Sequence, residues 1–165
     1  MLRTGVYLMR KQTINSGANA VSPSGDVWLD LERLAKVEIT SESAECPIEA
    51  ALIPERGPGW RAAQPGIQTI RLIFDQPVNI KRIHLRFEEM ALERTQEFVL
   101  RWLPEGERSS REIVRQQYVF SPPGTNEEIE DYTVSLNGVS ALELEIVPDI
   151  SRGAAFASLK QMRLA

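Results

Sequence analysis

At 165 residues the chain is about one domain's worth, and with 42% hydrophobic and 25% charged residues it is neither polar enough for disorder nor apolar enough for a membrane protein. A domain of this size hides roughly 68–70% of its unfolded surface, so it holds a core without disulfides or metal. The 19 Lys and Arg against 23 Asp and Glu leave a net charge of −4 with His neutral, which argues against duplex DNA or an anionic membrane as partner.

No run approaches the ~18 consecutive apolar residues of a membrane span. In Met1–Lys11 the charges follow a short apolar patch, the reverse of a secretory signal. With one cysteine, Cys46, which can form no intramolecular disulfide, the expectation is a cytoplasmic protein. Met9 offers an alternative start. Residues 1–25, with Asn15–Asn19 and Ser22–Gly25 rich in Asn, Ser, Gly and Pro, show no period and read as a flexible arm outside a single domain, 26–165. From Asp26 to Thr40 two signals overlap. Trp28, Leu31, Leu34 and Ala35 make a helical stripe with Asp26 as cap, while Val37 and Ile39 alternate, so a short lead-in becomes a strand near Val37.

Beyond it the period is two. Ile70, Leu72 and Phe74 form one strand, Ile83, Leu85 and Phe87 a second, and Phe98, Leu100 and Trp102 a third. Ile113–Phe120 follows, then Tyr132–Leu136 and Leu142–Ile146, with Leu159–Leu164 closing the chain. Asn137-Gly138 between two of these runs predicts a tight hairpin. The acidic run Glu127–Asp131 reads as a solvated loop. Eight short strands with no long amphipathic helix between them predict an all-β protein, an eight-stranded antiparallel jelly-roll β-sandwich.

Few residues suggest catalysis. His84 is the single histidine, which excludes every two-histidine metal motif, and it sits on an alternating strand between Arg82 and Arg86 as a sheet-face residue. Cys46 has no basic neighbour in sequence. No nucleophile elbow, Walker loop or Gly-x-Gly-x-x-Gly is present. Arg71, Arg82, Arg86, Arg101 and Arg115 alternate outward, but so do Glu97, Glu112, Glu143 and Glu145, and cross-strand ion pairs explain both sets. The densest binding cluster is Arg56-Gly-Pro-Gly-Trp60-Arg61-Ala-Ala-Gln64, which sets an aromatic, two guanidiniums and an amide among glycines and prolines on a predicted loop.

Several short stretches resemble a discoidin domain, the coagulation-factor C-type module with a galactose-binding-like fold. They are Val37-Glu-Ile-Thr-Ser41-Glu-Ser43, Pro47-Ile-Glu-Ala50-Ala51-Leu52, Gly59-Trp60-Arg-Ala62, Ile67-Gln-Thr-Ile-Arg-Leu72 and Asp75-Gln-Pro77, followed at the end by Ala157–Leu164, where Gln161 replaces the family's usual glutamate. The resemblance covers residues 37–164 and implies a strand, a helical turn with alanines, and a tryptophan that packs under the end of the sandwich or serves as a sugar platform. Many such modules hold calcium in the loop after the first strand. Here residues 45–59 offer Glu45, Glu49 and Glu55 but no aspartate, too few oxygens for a tight site. The expectation is therefore a non-catalytic module without metal or cofactor. It binds carbohydrate through Arg56, Trp60, Arg61 and Gln64 at one end of the sandwich, with no nucleic acid or membrane partner. The alternative is a protein-interaction or structural subunit that uses a sheet face or the N-terminal arm.

Overall fold

Two strands of 21 residues each carry the architecture in the computed structural model, which describes residues 27–165. In chain order the elements are α1 (Leu31–Leu34), β1 (Ala35–Ile39), α2 (Glu49–Leu52), β2 (Trp60–Pro65), β3 (Gln68–Glu88), β4 (Arg94–Pro104), β5 (Arg111–Phe120), β6 (Glu127–Val147), β7 (Phe156–Leu159) and β8 (Gln161–Leu164). The expected arm, residues 1–25, and Asp26 lie outside the described residues. The cap of α1 is Asp30, whose carboxylate accepts the Arg33 N–H at 3.3 Å.

All strand pairs are antiparallel. One ladder runs β1-β3-β6-β4-β5 with β8 added to β3, and β2 pairs separately with β7. β3 and β6 stay paired along most of their length, but the ladder slips in the middle, where Ile73 pairs with Ala141, Val78 with Val139 and Ile80 with Leu136. Across the slip the buried residues of β3 change parity, from Ile70, Leu72 and Phe74 to Ile83, Leu85 and Phe87. A one-residue shift turns a strand over, and here it folds the ladder back on itself. Phe87 from the far half of β3 stacks on Phe98 of β4 with ring centroids 5.2 Å apart. The result is the antiparallel all-β sandwich that the strand pattern predicts: a layer β1-β3-β6-β4-β5 faces a layer of β8 and the remaining halves of β3 and β6 across one apolar core.

Asn137-Gly138 does not make a hairpin. Tyr132 pairs with Ile83, and Leu142 pairs with both Leu72 and Trp102, so the two runs belong to one strand and never meet. Gly138 does adopt the positive φ, 66°, that the turn signal implies, but uses it for a bulge at the fold-over, where its N–H donates to Asn79 Oδ1 at 3.0 Å and its carbonyl accepts from Glu105 N–H at 2.7 Å. The strands still number eight, with different membership. Predicted runs merge into β3 and β6, the closing strand divides at Lys160 into β7 and β8, and β2 is added. The acidic run Glu127–Asp131 is the first part of β6 rather than a loop. Glu127 and Asp131 meet arginines outside the sandwich, whereas Glu128 pairs with the inward Phe87.

At one end of the sandwich the connections 40–59, 66–67, 89–93, 121–126 and 148–155 gather, tied by Glu89 N–H to Asn126 O at 2.9 Å and Ile150 N–H to Thr95 O at 2.9 Å. α2 closes the side there, held by Arg163 of β8, which donates to Ala51 O at 2.8 Å.

Candidate functional site

Trp60, Arg61 and Gln64 are on a strand, not on the expected loop. Two alternating positions, with Trp60 and Ala62 inward and Arg61 and Ala63 outward, are enough for β2 because β7 supplies its partner: Trp60 pairs with Leu159 and Arg61 with Ser158. Sequence alternation this short, ended by Pro65, gives too little signal to be read as a strand. Trp60 is 1% exposed, with Nε1 donating to Ser41 O at 3.1 Å, so both ring faces lie in the core and neither is offered as a sugar platform. The close packing requires Gly59, where a Cβ would lie 2.8 Å from Leu159 O and 2.9 Å from Lys160 Cα.

The other predicted residues separate. Arg61 is exposed with its guanidinium 5.1 Å from the Phe156 ring centroid, while Arg56 reaches toward Glu32 of α1 at 3.9 Å. Gln64 is exposed further along β2. A cleft of about 280 Å³ opens beside Arg61, and neither Arg56 nor Gln64 lines it. Its other polar walls are Cys46, Glu88, Glu89, Ser158 and Lys160, with Met90 as an apolar rim that is 68% exposed. Lys160 Nζ stands 2.9 Å from Glu88 Oε2, so a cation and an anion are presented together beside Arg61.

The wall carrying Met90 is held from below by Arg94. Its buried guanidinium donates to Glu89 Oε1 at 2.7 Å, to Pro148 O at 2.7 Å and to Gln96 Oε1 at 3.1 Å, and it lies over the Phe120 ring. Burial pushes the Glu89 carboxyl up, but the Arg94 bond together with the Ala91 and Leu92 amides outweighs it and leaves the group below the usual carboxylate range. Sequence reasoning missed this clamp, although its signal was available. Extending the inward period of Phe98 and Leu100 backward places Gln96 and Arg94 inside, and a buried arginine needs partners.

The outward arginines are paired as the alternation implied. Arg71 meets Glu143 at 2.6 Å, Arg101 meets Glu143 at 3.3 Å, Arg115 meets Glu97 at 2.8 Å, Arg82 meets Asp131 at 2.6 Å and Arg86 meets Glu127. His84 Nδ1 lies 3.4 Å from Asp131 Oδ2 on the same face. Arg82 first and His84 after it hold the Asp131 carboxyl below its ordinary range. Cys46 is a free, half-buried thiol. In the loop after β1, Glu42 accepts the Ile48 N–H at 2.9 Å and Glu49 is buried in α2, which leaves Glu45 and Glu55 as the exposed carboxylates there. Among the described residues no group of three or more His, Cys, Asp or Glu is arranged to hold a metal.

No protein-family model matches the chain, and no curated protein sequence does. Solved structures do. The chain is similar to the family 32 carbohydrate-binding module of C. perfringens NanJ in complex with galactose, with a TM-score of 0.57 and 11% identity over 79% of this chain and 92% of that one. It is similar as well to the third such module of a family 31 glycoside hydrolase from Clostridium perfringens, with a TM-score of 0.58 and 14% identity over 83% and 93%. A third neighbour is the family 32 module of AlyQ in complex with 4,5-unsaturated mannuronic acid, with a TM-score of 0.57 and 13% identity over 80% and 95%. At these identities the likeness establishes the fold: this chain has the discoidin-type, galactose-binding-like sandwich that its short motifs resemble.

Proposed function

We propose that the protein is a non-catalytic carbohydrate-binding module whose ligand site is the Arg61 cleft at the loop end of the sandwich. The observation that carries this reading is the cleft's composition: an exposed guanidinium resting on Phe156, the Lys160 and Glu88 pair, and the Ser158 hydroxyl converge on one hollow rimmed by Met90. These groups provide donors and acceptors for vicinal hydroxyls and an apolar rim for ring carbons. Hydroxyl bonds exchange water for protein at little net gain, so the charge-assisted donors on Arg61 and Lys160 carry most of the polar affinity. The alternative of a protein-docking sheet face is less favoured because the outward faces carry rows of ion pairs rather than a broad apolar patch.

A screen of the purified protein against an array of neutral glycans tests the reading. Arg61→Ala should weaken a ligand found this way by ~1.5–3 kcal/mol, the scale of a bond to a charged group, without lowering the melting temperature. A neutral glycan whose affinity is unchanged from wild type in both Arg61→Ala and Lys160→Ala, or a screen with no neutral binder, would refute it.

A further inference from the structure

The outer face of the layer β1-β3-β6-β4-β5 carries two rows of side chains that the Arg61 cleft does not use. Register pairs Glu38 with Arg71, Arg71 with Glu143, and Glu143 with Arg101, a row of alternating charge over four strands. Two residues further along each strand, on the same face, Ile73 pairs with Ala141 and Ala141 with Leu103, an aliphatic row. The β4–β5 connection adds Arg108 and Ser110, and together rows and connection enclose a cleft of about 420 Å³. A second hollow of about 300 Å³, reaching Thr40 and Thr69, shares Glu38 and Arg71 with the first. The two are lobes of one groove, in the size range of small-molecule sites, ~300–1,000 Å³.

The charges in the groove are oriented but not used up. Glu143 and Glu38 hold Arg71 at 2.6 and 3.4 Å, and Arg101 donates to Glu143 at 3.3 Å. A guanidinium carries five N–H donors, so Arg101 keeps donors for a ligand while its carboxylate partner fixes its direction. Arg108 is exposed and makes no ion pair or hydrogen bond among the described residues. The lining has Arg71, Arg101 and Arg108 against Glu38 and Glu143, and Glu145 stands 3.8 Å from Arg101 beyond it, so Arg108 is the lining guanidinium that has no carboxylate partner among the described residues.

We propose that this groove binds a chain of uronic-acid sugars. A pyranose has a face of C–H groups and an edge of hydroxyls. The aliphatic row meets the face, while Arg71, Arg101, Glu143 and Ser140 meet the edge. The carboxylate that distinguishes a uronic acid from a neutral sugar pairs with Arg108. The second lobe extends the groove along β1 and β3, so the ligand has more than one ring. The site is separate from the Arg61 cleft and does not depend on that cleft binding anything.

The test is an amide-resolved NMR titration of the full chain with trigalacturonate, trimannuronate and a hyaluronan hexasaccharide, with fully methyl-esterified trigalacturonate as the neutral control. The expected result is that at least one of the acids shifts the amides of Ile73, Leu103, Ser110 and Ala141 and that the ester does not. Arg108→Gln should lower the affinity about tenfold with a wild-type melting temperature, and Arg61→Ala should leave it unchanged. The proposal is overturned if none of the acids moves those amides, if Arg108→Gln binds as tightly as wild type, or if the ester binds equally well. None of these outcomes bears on the Arg61 cleft, which the neutral-glycan screen tests by itself.

Discussion

Glu128 shows how much a single position can hold inside a sandwich. It is 1% exposed, its Oε2 accepts from Gln96 Nε2 at 3.2 Å, and its Oε1 has no donor among the described residues. Burial first, and the neighbouring Glu130 carboxyl second, push its pKa up to about 8. At neutral pH burial thus favours the protonated carboxyl, in which Oε1 no longer has to be a charged acceptor without a donor. The linkage has a definite sign. The folded chain holds a proton that an unfolded glutamate releases near 4.5, so stability falls as pH rises from 4.5 to about 8 and is flat beyond. Asp131 and Glu89, both held below their ordinary range, act oppositely and stabilise only above the acid range. Urea melts should find Glu128→Gln more stable than wild type at pH 9 by roughly 2–4 kcal/mol, with most of that gain gone at pH 5. Equal gains at both pH values would show that Glu128 is ionised in the fold. The two inward carboxylates were invisible in the acidic run because charge hides which face a strand residue occupies until its partner strand is known.

At the level of elements, glycines mark where β2 and β6 depart from simple strands. At Gly59 a Cβ would meet the backbone of Leu159 and Lys160, which cannot yield without breaking the pairing of β2 with β7. At Gly138 the space is open, the nearest atom, Cβ of Glu105, lying 3.7 Å away, and only the φ of 66° opposes a side chain. Gly59→Ala should therefore cost ~2–3 kcal/mol or more, since its own φ of 116° adds backbone strain to the overpacking, against ~1 kcal/mol for Gly138→Ala from backbone strain alone. Chemical denaturation of the two variants measures the difference, and a reversed order would mean the fold-over at Gly138 is tighter than the β2 contact. Alternation made β1, β4 and β5 readable and revealed both halves of β3 and β6. It could not show that the halves join, because Asn-Gly favours positive φ equally in a hairpin and in a bulge.

For the molecule as a whole, the absence of an aspartate in the loop after β1 and the commitment of Glu42 to the Ile48 amide predict a fold independent of calcium. Melting curves with and without a chelator should coincide, and a large drop on chelation would reveal an ion held by backbone carbonyls. The sequence by itself determined the class of fold, because period-two burial of residues such as Ile70, Leu72, Ile83, Leu85, Phe98 and Leu100 needs no knowledge of partners, and it determined the ion-paired character of the outer faces. Only the tertiary structure decided that Trp60 is core, that Arg56 and Gln64 stand away from the Arg61 cleft, and that Glu88, Met90 and Lys160 complete it. Those residues come from β2, β3, its following loop and the β7–β8 junction, and they become neighbours only when the ladder folds over and β7 pairs with β2. Local pattern records which way a side chain faces, whereas a binding site depends on which distant segments face the same hollow.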